Sequence, residues 1–444
     1  MICTTSSFCY LFEQLINFKY LLLVSVHAQE DQKLSPKMLT NDEAELYDRQ
    51  IRLWGAHAQA KIRDSSVLML GFTGVASEVA KTLVLAGIKS LTIVDDQPLQ
   101  ESDNTSNLFC RKPLKSDEDE PRYRTYAVRD KLKKLNPLVE VRIENSPIFS
   151  KKHICDETAR YNLVTLHSFL TIEEIDQINT WCRSRSMMFY FAVDFGFYGF
   201  IFNDLCEEFC YEYEKFAEKS TDEVGKVVSQ SKGDLISIDD DEDDASDDDN
   251  SIDGKSRPKK RRRIHSPERQ SANKKSETQG KESQRAKLSY VTFNEMIKST
   301  SISLDNKSSP VLIVSIAMIK FYNEKKHLPR QEKDGLNPKD LDELNRIIDS
   351  TCESLKVPEK LLKKLSISWT DHLTGNLSPI CAVVGGLAGQ DIIRVLSGKD
   401  IPIYNTFAFD GLAMNGSVTK VGFPEIKCDV QKPVIRDLVE IDLD

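Results

Sequence analysis

One stretch of the chain, residues 66–96, constrains the fold more than any other. It reads SVLMLGFTGVASEVAKTLVLAGIKSLTIVDD, in which a short apolar run, a glycine turn, an amphipathic segment and a second apolar run follow one another. Val67–Leu70 and Leu91–Val94 are typical of buried parallel strands, and Glu78–Ala86 has apolar residues at helical spacing. This order of strand, helix and strand predicts an α/β fold with a parallel sheet.

The turn after the first predicted strand contains the candidate nucleotide-binding residues. Gly71 and Gly74 have a loosely Rossmann-like spacing without the third glycine, and Asp95 ends the second strand, where a ribose hydroxyl would lie. Backbone N–H groups and a helix N-terminus would face phosphate at such a turn. A tight turn that binds nothing explains the same residues, so this stretch alone leaves both interpretations open.

Length and composition exclude several classes of protein. The chain has 444 residues, is 40% hydrophobic and 29% charged, and has a net charge of −9. Such a chain can form two domains or one large composite domain, and its charge argues against general nucleic-acid binding. No apolar run approaches the roughly 18–20 residues of a membrane helix. Ten cysteines without a CxxC pair argue against a zinc site and indicate reduced thiols in a cytosolic or nuclear protein.

Residues 1–40 are predicted to be an N-terminal extension without fixed structure. The run Tyr20–Val26 resembles the core of a signal peptide, but Glu13 and Lys19 interrupt the apolar stretch around it. We therefore expect an upstream extension with Met38 as the working start.

The segment Tyr47–Gly55 reads YDRQIRLWG and lies in a predicted helix within Asn41–Arg63. Arg49 and Arg52 are three residues apart, which places them on neighbouring turns. They are either surface charges or a cation presented to phosphate, whose geometry a guanidinium group matches.

YDRQIRLWG and the glycine-turn stretch after it strongly resemble the amino-terminal region of ubiquitin-like-modifier activating enzymes, in the ThiF/MoeB-like family. Together with later segments they are most similar to the smaller, non-cysteine subunit of the heterodimeric SUMO-activating enzyme. This resemblance implies an α/β, Rossmann-like adenylation fold of the ThiF/MoeB type, degenerate at its nucleotide site. The later matching segments are Phe189–Leu205, Ser378–Gly398 and Phe407–Gly416.

Resemblance and composition together divide the chain into six parts. Apolar spacing also predicts helices over 173–183, 311–322, 340–355 and 359–365. The third part is polar and nearly free of aromatic residues, so it cannot bury enough apolar surface to offset its ordering entropy. The predicted parts are the extension at 1–40, the first part of the adenylation fold at 41–216, a disordered acidic and basic insertion at 217–287, a helical insertion at 288–377, a return helix with strands at 378–424, and a flexible tail at 425–444.

The resemblance also specifies residues of an active adenylation site, and this chain departs from several of them. The family has an Asn-Arg-Gln group after its ribose-binding acid; here Asn107 is present, but leucine and phenylalanine follow it. In the region where the family has a lysine, this chain reads PRYRTYAVRD and has arginines instead. His167 and Ser168 stand where a Mg²⁺-binding aspartate is expected, and Mg²⁺ prefers carboxylate oxygens. We therefore expect no ATP turnover by this chain alone and assign it no metal site.

The missing chemistry is expected on a partner. None of the ten cysteines lies in the family's cysteine motif, and Cys381 is interpreted as a small buried hydrophobe. The resemblance implies a heterodimer with a larger catalytic-cysteine subunit, which binds most of the ATP and Mg²⁺ and activates SUMO. It also implies that Arg49 reaches in trans to the phosphates at the partner's site.

The predicted insertion contains two short motifs outside the adenylation fold. The run RPKKRRR indicates a nuclear import signal, with an importin as partner and a nuclear location; a solvated tract, or a charge partner for the acidic run at 239–249, is the alternative. An aliphatic run before those acids resembles a SUMO-interacting motif, and the tail Leu438–Asp444 has a similar alternation. The residues are Lys259, Lys260, Arg261, Arg262 and Arg263 for import, and Leu235, Ile236 and Ile238 for SUMO.

Three other functions fit parts of the sequence. The nearest is the corresponding subunit of the neddylation activating enzyme, which has a larger helical insertion. A Rossmann-like NAD-dependent oxidoreductase is a different class, and both the altered glycine turn and YDRQIRLWG argue against it. A non-enzymatic nuclear adaptor would act through the disordered tracts alone, and the two long ordered regions argue against that.

Overall fold

An eight-stranded mixed sheet organises the protein. The computed structural model describes residues 39–110, 123–125, 128–150, 160–216, 281–300, 309–333, 335–363 and 369–422. Two units are distinguished, Met1–Tyr213 with Gln284–Asp444 and Glu214–Ser283. The sheet belongs to the first unit, and the second is described only at its two ends, which lie in a pair of strands.

The predicted order of strand, helix and strand over residues 66–96 is confirmed by a strand at Ser66–Leu70, a helix at Gly74–Ala86 and a strand at Ser90–Val94. A 3₁₀ turn at Trp369–His372 precedes the last helix. In chain order the elements are α1 Asn41–Leu46, α2 Asp48–Trp54, α3 Ala56–Arg63, β1 Ser66–Leu70, α4 Gly74–Ala86, β2 Ser90–Val94, α5 Asp103–Ser106, α6 Val128–Leu135, β3 Glu140–Glu144, β4 Leu163–Leu166, α7 Ile172–Ser184, β5 Met188–Phe195, β6 Tyr198–Asp204, β7 Phe209–Phe216, β8 Lys281–Leu288, α8 Phe293–Ile297, α9 Val311–Lys325, β9 Gln331–Glu332, β10 Gly335–Leu336, α10 Pro338–Leu355, α11 Glu359–Leu362, α12 Ser378–Ser397, β11 Thr406–Asp410 and β12 Asn415–Thr419.

Strand β1 lies near the centre of the sheet. The strand order is β12-β11-β6-β5-β4-β1-β2-β3, in which β1 to β5 are parallel and β6, β11 and β12 pair in antiparallel fashion. Leu70 at the end of β1 pairs with Val94 of β2 on one side and with Leu166 of β4 on the other. After β1, the chain adds β2 and β3 on one side of it and β4 and β5 on the other. The carboxyl ends of β1 and β4 are therefore the topological switch point, where open α/β sheets bind ligands.

Both faces of the sheet are covered, which explains why the central strands are apolar throughout. Successive side chains of β1 point to opposite faces, so Val67 and Met69 join one core cluster and Leu68 and Leu70 the other. The first cluster includes the buried residues of α4 and α12. The second includes those of α7, α9 and α10.

The helix bounds follow local chemistry. Thr73 caps α4 by accepting from the Ala76 N–H, and Gly87 ends it in the left-handed conformation at φ +81°. The predicted helix within Asn41–Arg63 is three helices, because Gly55 at φ +89° separates α2 from α3 and Tyr47 separates α1 from α2. Helix α12 is long and apolar enough to cross a membrane, yet 67% of its most apolar window is buried inside the protein, as in a core helix.

The region after the predicted insertion contributes to the main core. Helix α9 is apolar on nearly all sides, and ten of its fifteen residues are buried. Strand β8 begins at Lys281, where its backbone pairs with that of β7.

The glycines of α12 allow it to approach α4 closely. A Cβ on Gly385 would lie 2.6 Å from the Val75 carbonyl oxygen and 2.7 Å from Glu78 Cβ, whereas a Cβ on the adjacent Gly386 would meet nothing within 4 Å. Gly385 therefore has no room for a side chain, whereas Gly386 does.

We expect Gly385→Ala and Gly386→Ala to change stability in opposite directions. The first should lower the free energy of unfolding by about 1–3 kcal/mol because the helices must separate. The second should raise it by about 0.5–1 kcal/mol because alanine favours the helix. Urea unfolding of the isolated chain measures both, and equal shifts of the same sign would contradict the packing described.

Candidate functional site

The glycine turn lies at the switch point of the sheet. Gly71 follows β1 at φ +84°, and its N–H donates to the Val94 carbonyl across a distance of 2.9 Å. A Cβ at Gly71 would collide with the side chain of Ser168, and one at Gly74 would lie 2.5 Å from the Sγ of Cys381. The two predicted glycines are thus required by close contacts with the chain's own side chains.

Asp95 is fully buried and bonded to this turn. Its Oδ2 accepts from the Phe72 N–H at 2.6 Å, and its Oδ1 accepts from the Gln97 N–H at 2.7 Å. Burial raises the pKa of Asp95, while the Arg124 guanidinium and the two backbone donors oppose that rise. The carboxylate that could bind a ribose is therefore occupied by the protein itself.

Arg124 connects Asp95 to a second buried carboxylate. Its Nη1 lies 3.6 Å from Asp95 Oδ2, and its Nε lies 3.0 Å from the carboxylate of Asp103. The Arg124 side chain is only 11% exposed, and both carboxylates are buried. One internal cation thus pairs with two carboxylates at the rim of the degenerate site. We call Asp95, Asp103 and Arg124 the ionic cluster.

Asn107 also has a structural role. Its Nδ2 donates to the Phe72 carbonyl at 2.8 Å and to the Thr73 carbonyl at 3.2 Å, and its Oδ1 accepts from the Phe109 N–H at 3.0 Å. The side chain is 2% exposed. The two bonds from Nδ2 hold the glycine turn, so the surviving family asparagine is part of the packing around that turn.

His167 follows β4, where the family's metal-binding aspartate is expected. Its Nδ1 lies 3.0 Å from the Ala192 carbonyl, which can only accept, so Nδ1 carries the proton and Nε2 accepts from the Thr165 hydroxyl at 2.8 Å. Burial lowers the pKa of His167 to about 4, so the imidazole is neutral near pH 7.

These residues do not fit a magnesium–ATP complex. Asp95 is fully buried and both of its oxygens already accept from the chain itself, and a neutral imidazole with both nitrogens bonded supplies no ligand that Mg²⁺ prefers. Among the described residues, no group of three or more His, Cys, Asp or Glu side chains could hold a metal ion. We derive no step of a reaction through nucleotide bound in this chain.

The described cysteines give no sign of an activated thiol. A nucleophilic cysteine needs a stabilised thiolate, and burial has the opposite effect. Cys210 is exposed and lies in β7. Burial raises the pKa of Cys110 to about 12, those of Cys206 and Cys352 to about 11, and those of Cys182 and Cys381 well above the usual range.

The YDRQIRLWG segment forms a helix that is attached firmly along one side. The Tyr47 hydroxyl accepts from Asn136 Nδ2 at 2.8 Å, the Gln50 amide donates to the Leu85 carbonyl at 3.1 Å, and the Trp54 indole N–H donates to Gln59 Oε1 at 3.0 Å. Tyr47, Gln50 and Trp54 are separated by three and four residues, so they share one side of α2.

Arg49 is directed away from that attached side. It is exposed and makes no hydrogen bond or ion pair with any residue that the structure describes. Arg52 differs, because its guanidinium pairs with Asp48 one turn earlier at 3.0 Å. Of the two arginines that the sequence leaves as candidates, the structure therefore presents Arg49 with its donors available.

The remaining predicted site residues lie outside the described residues. They are Leu235, Ile236 and Ile238 of the SUMO-interacting-like motif and Lys259, Lys260, Arg261, Arg262 and Arg263 of the import signal. Sequence analysis also did not predict the roles of Asp103 and Arg124. The sequence feature that could have indicated Arg124 is the set of arginines in PRYRTYAVRD, where the family has lysine.

Comparison with known proteins agrees with this architecture. The model of the ThiF family matches residues 47–430. The chain is a member of the ThiF family. Its α/β fold with a ThiF/MoeB-type sheet is that of the family, as the sequence predicts.

Individual relatives of this ThiF protein are similar along most of its length. SUMO-activating enzyme subunit 1 of Xenopus tropicalis is 29% identical over 386 residues, which are 87% of this chain and 97% of the relative. The protein of the same name from Danio rerio is 30% identical over 388 residues, 86% of this chain and 95% of the relative. The crystal structure of E. coli MccB has a TM-score of 0.43 and 10% identity, covering 89% of this chain and 75% of that one.

We expect Arg124→Ala to destabilise the protein strongly. Loss of the cation leaves two buried carboxylates without a counter-charge, which costs about 3–5 kcal/mol in the free energy of unfolding. Arg142→Ala is the control, because Arg142 pairs with Glu140 on the surface at 2.8 Å and such pairs contribute about 0–1 kcal/mol. Equal values for the two variants in urea unfolding would show that the ionic cluster is not structural.

We also expect His167 to make the protein less stable in acid. Because its pKa is about 4 in the folded protein and near 6.5 when unfolded, the unfolded chain binds the proton between these values. Stability from the neutral imidazole is complete above pH 6.5 and is lost as the pH falls toward 4.

The measurement for His167 is the change in unfolding free energy between pH 7 and about pH 4.5. His167→Gln removes the titrating group and should reduce that change by about 2 kcal/mol relative to the unaltered protein. An identical pH dependence in the two proteins would show that His167 is protonated in the fold.

Proposed function

We propose that this chain is the regulatory, non-catalytic subunit of a heterodimeric SUMO-activating enzyme. The observation that carries the proposal is the pairing of two features in one fold. The Asp95 carboxylate at the candidate nucleotide site is bonded within the protein and belongs to the ionic cluster, and Arg49 stands exposed without a partner among the described residues. A subunit with this arrangement contributes the Arg49 guanidinium to a nucleotide site on another subunit. The names of the similar Xenopus and Danio proteins support the SUMO pathway.

The larger subunit would then supply the parts that this chain lacks. It binds ATP and Mg²⁺ and carries the catalytic cysteine. The carboxylate of SUMO attacks the α-phosphorus of ATP and releases pyrophosphate, after which the cysteine thiolate displaces AMP to form a thioester. The raised pKa values of the buried thiols and the bonded state of His167 support this division of labour.

Arg49 would act on the first of these steps. Negative charge accumulates on the phosphate oxygens in the transition state, and a guanidinium group placed there in advance stabilises it. The attachment of α2 through Tyr47, Gln50 and Trp54 supports this role, because it fixes the helix that carries the arginine.

Location and further partners follow from the insertion. We assign Lys259, Lys260, Arg261, Arg262 and Arg263 to recognition by an importin and place the protein in the nucleus. The aliphatic residues Leu235, Ile236 and Ile238, followed by acids, suit addition to a sheet edge of SUMO. Neither membrane nor nucleic acid is a partner in this proposal.

The other functions have less support. The relatives described above are named for the SUMO pathway, which favours it over the neddylation enzyme. Membership in the ThiF family gives no support to the interpretation as an NAD-dependent oxidoreductase. An adaptor acting through its polar tracts alone would not need the continuous core formed on both faces of the sheet.

We expect Arg49→Ala to slow adenylation without separating the subunits. With the larger subunit and SUMO, the rate of ATP–pyrophosphate exchange should fall at least 100-fold, within the range for a missing transition-state donor. Arg52→Ala, one turn away on the same helix, should stay within about twofold because its partner is Asp48. An unchanged exchange rate for Arg49→Ala would refute the proposed role.

A further inference from the structure

Strand β3 forms one edge of the main sheet, and no strand lies on its outer side among the described residues. The Glu140 N–H donates to the Lys89 carbonyl, on the β2 side, at 3.1 Å. Because the backbone N–H and C=O groups of successive residues alternate in direction along a strand, those of Val141 and Ile143 point away from β2. Such an edge is a template to which an extended segment can add as a further strand.

A groove lies beside this open edge. It is lined by residues of α6, of β3 and of the loop between them, and its volume is about 540 Å³, which is in the range of ligand-binding clefts. Leu138 of the loop and Ile143 of β3 contribute apolar surface to it, and Leu138 is exposed to solvent. We call this groove, with Arg129, Lys133, Leu138, Arg142 and Ile143 in its lining, the edge groove.

Three cations border the edge groove. Arg129 and Lys133 are exposed, lie one turn apart on α6 and make no hydrogen bond or ion pair with any residue that the structure describes. Arg142 pairs at 2.8 Å with Glu140, the acid among the described residues of the lining. The groove therefore carries an excess of positive charge, and two of its cations are available to an acidic ligand.

One segment of this chain has the complementary pattern. Leu438–Asp444 reads LVEIDLD and lies outside the described residues, beyond the end of the match to the ThiF family at residue 430. Its acids, Glu440, Asp442 and Asp444, alternate with apolar residues, which is the period of a strand. The acidic runs at 117–120 and 239–249 contain no apolar residues in alternation with their acids.

We propose that Leu438–Asp444 adds to the open edge of β3 as a further strand and occupies the edge groove. Its backbone bonds to the outward-facing groups of Val141 and Ile143, its apolar side chains cover the apolar lining, and its carboxylates meet Arg129 and Lys133. Backbone bonds and apolar contact supply the affinity, and the opposite charges select this segment. The site does not involve Arg49 or a second subunit.

The chain is long enough for this contact. It leaves the described residues at Gly422 on the β11 side of the sheet, where the Val421 N–H donates to Asn405 Oδ1 at 2.9 Å. Eight strands at their usual spacing measure about 34 Å from edge to edge, and the fifteen residues 423–437 span up to about 50 Å when extended.

This tether lowers the affinity that the contact requires. A short linker gives an effective concentration of about 1 mM. A dissociation constant near 0.1 mM therefore keeps the groove occupied in roughly nine molecules of ten, which slows hydrogen exchange at the paired amides about tenfold.

Hydrogen exchange of the full chain, resolved to single amides by mass spectrometry with fragmentation, tests the contact. Charge reversal in the segment, Glu440→Lys with Asp442→Lys, should release it from the groove. We expect the amides of Val141 and Ile143 to exchange about tenfold faster in this variant than in the unaltered chain. The amides of β3 that bond to β2 should keep their rates and serve as the internal reference.

Reversal on the groove side gives a second, matched test. Arg129→Glu with Lys133→Glu should speed exchange at the same two amides to the same extent. Combining these changes with the reversed segment should restore slow exchange, because opposite charges then face each other again. Lys134→Glu is the control, since Lys134 is exposed on the same helix but does not line the groove, and it should change the rates by less than twofold.

Three outcomes would overturn the proposal. Equal exchange of the two amides in the unaltered chain and in every variant would show that the segment does not cover the edge. Faster exchange in the groove variant but not in the segment variant would assign the groove to another acidic run of the chain. Protection that disappears on dilution would place the segment of a second copy in the groove.

Discussion

The buried carboxylate of Asp95 is the constraint on which the candidate site depends. A charge in that position must be satisfied, and the protein does so with two backbone N–H groups and the Arg124 guanidinium. These bonds fix the glycine turn at the end of β1, together with Asn107. The turn keeps its shape because its donors and acceptors are bonded within the protein. The framework of a nucleotide site can therefore persist without the groups that would bind a nucleotide.

In the YDRQIRLWG segment, likewise, some side chains hold the helix in place and another is left exposed. Three of its side chains, those of Tyr47, Gln50 and Trp54, attach the helix to the domain, and Arg49 on another side is left available. A charged group on a firmly attached helix loses little conformational freedom when it meets a phosphate, so it is better preorganised than one on a loop. The internally bonded glycine turn and the exposed arginine are therefore two features of one fold, the first committed to the protein itself and the second available.

Sequence patterns predicted the elements around the turn because the short strands and α4 are each encoded by local periodicity. The choice of Arg49 and the missing magnesium ligand at His167 came from the resemblance to modifier-activating enzymes and not from periodicity. The ionic cluster could not be predicted, since Asp103 begins the short helix α5 and Arg124 lies in an irregular segment beyond it, and only tertiary packing brings the two side chains to Asp95. The break at Gly55 and the pairing of β7 with β8 depend on a positive φ and on contacts between strands, which periodicity does not encode.

The close packing of α12 on α4 has a consequence for biosynthesis. The first βαβ unit is complete by Val94, but one face of it is covered only when a helix ending at Ser397 has been made. Contacts of such long sequence separation close slowly. During translation the apolar surface of α4 that α12 covers therefore stays open until the C-terminal part of the chain has been made.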